Sequence, residues 1–144
     1  MPILNTDYVP VLKFRQGEYQ ALFRLRAAQK EHIVPLFEVC PPEYDFELEG
    51  PAKSLDDHLR KFGARVETKW GVRPALVDAG FLDPAGRMSD GTHPLTNLFN
   101  DLRDHDANCI PVTALSRDAA YQDAVQEIVA DDQAGVCFRL TLDE

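Results

Sequence analysis

A short apolar run entered through a proline recurs along this chain: Tyr8-Val9-Pro10-Val11-Leu12, Ile33-Val34-Pro35-Leu36-Phe37, Pro74-Ala75-Leu76-Val77 and Cys109-Ile110-Pro111-Val112. Proline cannot donate to a sheet ladder but is tolerated where a strand begins, so its recurrence near the entry marks a repeated strand unit. A fifth run, Val136-Cys137-Phe138-Arg139-Leu140, lacks the proline. Between the runs the hydrophobic spacing becomes helical. Leu55, Leu59, Phe62, Val66 and Trp70 predict one long helix. Shorter stripes are Tyr19, Leu22, Phe23 and Arg26; Leu95, Leu98, Phe99 and Leu102; and Tyr121, Ala124, Val125 and Ile128. Ser54 with Asp57, Pro94, and Ser116 or Asp118 supply helix starts, while Gly71 and Gly135 supply ends.

Strands alternating with helices predict an α/β fold of repeated βα units with parallel strands, about five strands and four helices in all. Similar successive units and an end directly after the fifth strand favour an incomplete TIM-barrel-like arrangement. The alternative is a five-stranded doubly wound, flavodoxin-like sheet. With 144 residues the chain is expected to form a single domain, 1–144, possessing its own core. It has no apolar run long enough to span a membrane and no signal-peptide pattern at its start, so a cytoplasmic location is expected. A net charge of −9 would repel a phosphate backbone, which argues against nucleic acid as a partner. Cys40, Cys109 and Cys137 are odd in number and widely spaced, and are read as reduced, buried thiols. None of the common catalytic or nucleotide-binding signatures is present.

The links leaving strands two and three, Cys40 to Lys53 and Gly80 to Thr92, are long. Both start at carboxyl ends of strands, the edge where parallel α/β proteins bind ligands. Lys13 and Glu38 each follow a strand proline by the same interval and should share a side of neighbouring strands. They are candidates either for a mutual ion pair or for ligand contact. Lys13 and Arg15 are the types that hold a phosphate or carboxylate, while Glu38 and Asp78 could serve as a base or meet a divalent ion. Asp78 falls one residue later after its proline, so it faces the other way unless the strand is staggered. Arg139 interrupts an apolar strand and needs a carboxylate or an anionic ligand. Glu18 suits the first turn of a helix, His93 lies on the functional side as a candidate proton shuttle, and His105 reads as solvated surface. The histidines show no metal-ligand spacing, and no cofactor is implied. Residues Glu43 to Glu49 alternate acidic with apolar side chains, as a partner-docking arm or a lid would.

The run Tyr8 to Glu18, with Ala21-Leu22 and Ile33 to Val39, resembles the opening of the phage T4 beta-protein family, which shows a Tyr-x-Pro-x-Leu-Lys, Gly-Glu, Pro-Leu-Phe-Glu pattern. Matching residues continue through Pro74 to Asp78 and at Pro111. The resemblance implies an amino-terminal portion or shortened form of a longer protein, from phages or from bacterial mobile or defence loci, and brings no reaction with it. Three functions stay open. The first is an anionic small ligand bound at the carboxyl ends of the strands, with Lys13, Arg15, Glu38, Asp78 and Arg139 at the rim. The others are a non-catalytic module that self-associates or docks a partner protein through sheet edges, and a divalent-metal-dependent hydrolase.

Overall fold

The computed structural model describes residues 3–143. The five main-sheet strands alternate with helices as predicted, and two helices and a short two-stranded hairpin are added to the five strands and four helices expected. The elements are β1 (Val11–Lys13), α1 (Gln16–Arg24), α2 (Ala27–Lys30), β2 (Leu36–Glu38), β3 (Tyr44–Asp45), β4 (Gly50–Pro51), α3 (Leu55–Leu59), α4 (Phe62–Lys69), β5 (Ala75–Asp78), α5 (Pro94–Asp104), β6 (Cys109–Thr113), α6 (Ala119–Asp132) and β7 (Cys137–Phe138). The main sheet has five parallel strands in the order β1-β2-β5-β6-β7, while β3 and β4 form a separate antiparallel hairpin.

That order is sequential. A doubly wound sheet reverses strand order at a switch point and places helices on both faces, so the flavodoxin-like alternative does not describe this chain. Repeated βα units laid side by side do. The sheet is open, with β1 and β7 at its edges.

The period of two along the strands sorts side chains between the faces. Phe37, Val39, Ala75, Val77 and Cys109 join Leu22, Phe62, Val66, Leu95 and Leu98 in the main core beneath the helices. Val34, Leu36, Leu76 and Val112 form a smaller cluster on the other face, with Ile110 and Cys137 packed against it. By the same alternation Glu38, Asp78 and Arg139 belong to this second face, at its carboxyl edge.

Three sequence expectations change. The long helix over Leu55 to Trp70 is broken: Lys61 leaves helical geometry at φ −100°, ψ 8°, and α4 restarts at Phe62. Asp101 of α5 accepts the Gly63 N–H at 2.7 Å, satisfying an amide freed by the break. Secondly, Pro111 lies inside β6 rather than at its entry. Arg139 N–H bonds to the Thr113 carbonyl, so alternation turns the Pro111 nitrogen to the β7 side, below Cys137 where β7 begins to pair. Thirdly, His105, expected as solvated surface, is only partly exposed and is held by carboxylates. Its ring meets Glu67 at 2.6 Å and Asp101 at 3.6 Å, linking the ends of α4 and α5.

Helix ends follow the sequence closely. Ser54 and Asp118 accept the N–H of Asp57 and Tyr121, both at 3.1 Å, and Pro94 opens α5. No described helix is long and apolar enough to cross a membrane.

A Cβ at Gly63 would meet the Asp101 side chain and the His105 ring, both at 2.7 Å. Gly63→Ala should therefore push α4 from α5 and lower stability by about 1–3 kcal/mol, measured by urea unfolding.

Candidate functional site

The carboxyl edge of the sheet is where the sequence reading placed its charged residues, and register decides what they meet. Parallel pairing sets Lys13 opposite Glu38 and Glu38 opposite Asp78. The stagger of β5 thus compensates for its extra residue and brings Asp78 into the row.

Asp78 is fully buried, and both of its oxygens are taken. Oδ1 accepts the Gly80 N–H at 2.8 Å, and Oδ2 accepts from Arg117 at 3.0 Å and from Arg139 at 3.1 Å. Arg139 also reaches Glu38 Oε1 at 2.7 Å. Two carboxylates therefore face two guanidiniums in one closed group. Burial works against the Arg139 charge, but hydrogen bonds to Glu38 and Asp78 outweigh it and raise its pKa. The Arg117 guanidinium lies where a side chain at Gly80 would be, so only glycine leaves it room. Tyr121 closes the group from α6, donating to the Val112 carbonyl at 2.7 Å and accepting the Ala79 N–H at 3.3 Å. Burial, then the nearby Asp78 charge, push its phenol well above the ordinary range.

The predicted Lys13–Glu38 pair is replaced by Arg139–Glu38. Lys13 stands exposed on the edge strand, where among the described residues it makes no ion pair, and the fork-shaped guanidinium can reach both carboxylates as an ammonium cannot. Arg117 was missed. Its signal was the same as that of Glu38 and Asp78, a charge just past a strand's carboxyl end, here after Thr113. Asp78 is saturated by N–H donors, and no cluster of three or more ligating side chains occurs among the described residues.

Two cavities flank the group. One, of about 330 Å³, lies at the end of β5 among Gly80, Phe81, His93, Arg117, Asp118 and Tyr121. His93 caps α5 here, its Nδ1 accepting the Leu95 N–H at 3.2 Å. Burial, then Arg87, depress its pKa, with Asp118 opposing. The other cavity, of about 390 Å³, lies past β2 and beneath the β3–β4 hairpin. Phe14, Leu59 and Phe62 line it with Lys53, Lys61 and Arg65, and its acidic members are Glu43 and Asp57. His58 Nε2 lies 2.6 Å from the Cys40 carbonyl and ties α3 to this loop. Arg15, whose charge is favoured by a hydrogen bond to Cys40 and then by Glu18 and Glu43, stands beside Cys40 and Glu43, two of the lining residues. Lys53, Lys61 and Arg65 carry no shared pattern in the sequence, because they meet at one cavity only when α3 and α4 fold over the end of β2.

All three cysteines are free, with Cys40 and Cys137 half-buried and Cys109 buried. Burial, then Asp132, push the Cys109 thiol up to about 12, so it is inert at neutral pH.

Residues 8–144 match the family described as Beta protein. The chain belongs to the Beta protein family. No curated protein and no solved structure matches it significantly. Membership thus agrees with the strand-opening pattern at Tyr8 to Val39, and in the Beta protein family the group around Asp78 has to be understood from its own geometry.

Replacing Asp78 by Asn leaves two half-buried guanidiniums to share the one remaining carboxylate, Glu38. Asp78→Asn should lower unfolding free energy by about 3–5 kcal/mol, seen as a lower urea midpoint. For His93 the folded pKa lies below the unfolded value of roughly 6.5, so the unfolded state binds its proton first and stability falls as pH drops through that value. His93→Asn keeps a capping group but cannot titrate. Its stability should decline less than that of the parent between about pH 7 and pH 5.

Proposed function

We propose that the cavity at the carboxyl end of β2 binds a small anion attached to an apolar body, such as an aromatic phosphate or carboxylate. One observation carries this reading: Lys53, Lys61 and Arg65 outnumber Glu43 and Asp57 in a cavity also lined by Phe14, Leu59 and Phe62, in a chain whose net charge is −9. Cations gathered against the sign of the whole molecule repel one another and are strengthened by an anionic occupant. The apolar lining would favour the body of the ligand, and Arg15, beside the lining residues Cys40 and Glu43, would add a bidentate contact. In this reading Lys13 and the carboxylates Glu38 and Asp78 are outside the binding surface. The carboxylates brace the strand ends, and no step of catalysis is assigned to them.

The test is calorimetric titration with phenyl phosphate and with inorganic phosphate. Phenyl phosphate should bind more tightly than inorganic phosphate and lose affinity as salt is raised. Lys53→Glu with Lys61→Glu should weaken it by at least about tenfold without loss of helical signal. Equal binding to the doubly substituted protein, or no binding at millimolar phenyl phosphate, would overturn the reading.

A further inference from the structure

The β3–β4 hairpin carries exposed apolar side chains that its own chain does not cover. Phe46 is 85% exposed, Leu48 69% and Tyr44 56%. Such exposure on a floppy loop would mean little, but this tip is built. Asp45 Oδ1 accepts the N–H groups of Glu47 at 2.8 Å and Leu48 at 3.2 Å, an Asx turn that fixes the reversal. Glu49 holds a left-handed φ of 51°, and Ala52 N–H closes the base on the Glu43 carbonyl at 2.7 Å. The Tyr44 and Phe46 rings meet edge to face at 4.9 Å. The result is a preformed apolar knob ringed by Asp45, Glu47 and Glu49.

The complement to that knob is on the same chain. The cavity past β2 is lined by Phe14, Leu59 and Phe62, and its cations Lys53, Lys61 and Arg65 outnumber its acids Glu43 and Asp57, so it carries the opposite excess of charge to the tip and is alike in apolarity. Glu43 and Ala52, which pair at the hairpin base, also line the cavity, so knob and cavity occupy one face of the molecule. Phe46 does not fill its own cavity, since it is almost fully exposed. A two-fold axis beside the hairpin would carry each tip to the other copy's cavity, a closed, self-complementary contact.

We infer that the hairpin tip of one copy docks into the cationic cavity of a second copy of this chain, so that self-association closes the proposed ligand site. The inference rests on the cavity's reading as an acceptor of anionic groups on apolar bodies. It adds that the tip is an internal competitor: the dimer is the ligand-free form, and ligand releases the monomer. Tip residues then control ligand affinity without touching ligand.

Sedimentation equilibrium over a wide concentration range, with circular dichroism to verify folding, tests this. The parent protein should dimerise reversibly. Phe46→Ser with Leu48→Ser should weaken the dimer by at least about tenfold. Glu47→Lys with Glu49→Lys, and separately Lys53→Glu with Lys61→Glu, should each give monomers, whereas mixing these two charge-swapped proteins should restore a heterodimer. Phenyl phosphate should dissociate the parent dimer. A parent protein that stays monomeric at every concentration, or a dimer indifferent to both tip substitutions, would overturn the docking. If phenyl phosphate binds that monomer, the ligand reading survives alone. If the charge-swapped pair dimerises but phenyl phosphate neither binds nor dissociates the parent, the docking stands and the small-ligand reading falls.

Discussion

One buried carboxylate organises the carboxyl edge of this sheet. Asp78 ends the central strand β5 with no exposure to solvent, and an uncompensated charge there would cost several kcal/mol. Its compensation comes from beyond the sheet's centre: Arg117 from the link after β6, Arg139 from the residue after β7, and the Gly80 amide from its own loop. Glu38 on β2 balances the second guanidinium. The group therefore stitches β2, β5, the β6 link and β7 together at one level.

That stitching explains how β7 is held at all. Only Val112 with Cys137 and Thr113 with Phe138 pair in its ladder, and Phe138 and Leu140 leave their side chains exposed. A two-residue strand at an open edge has little hold of its own. Arg139, continuing the ladder through its N–H to Thr113 and reaching inward to two carboxylates, supplies the rest. Buried ion groups of this sort contribute less to total stability than an apolar replacement could, but they admit one register and penalise slippage. Here a slip of one residue would turn Arg139 away from both Glu38 and Asp78 and leave its guanidinium without either carboxylate.

The same edge is divided between support and the proposed binding surface. Asp78 and its partners are saturated by one another, whereas the cations over the end of β2 are gathered from Lys53, Lys61 and Arg65 around an apolar lining. Parallel βα units make this division natural, because every strand ends on the same side and each loop can be used differently. The loop after β2 builds a hairpin over its cavity, while the loop after β5 runs to the His93 cap of α5.

Much of this was written in short-range pattern. Prolines near strand entries, the switch between periods of two and near four, and caps such as Ser54, Asp118 and Pro94 depend on neighbours in the chain, so they specify the βα repeat directly. Glu38, Asp78 and Arg139 were identifiable as charges in apolar strands, which must find partners wherever they fold. Which partners they find is not local. The stagger of β5 that sets Asp78 opposite Glu38, the substitution of Arg139 for Lys13, the arrival of Arg117 over Gly80, and the break at Lys61 with Asp101 on the Gly63 amide all join residues far apart in sequence. Local pattern thus specifies the alternation of main-sheet strands and helices and which side chains need partners. The hairpin after β2, the pairing and the gathering of cations follow from register and the packing of helices across the sheet, which are settled by contacts between distant segments.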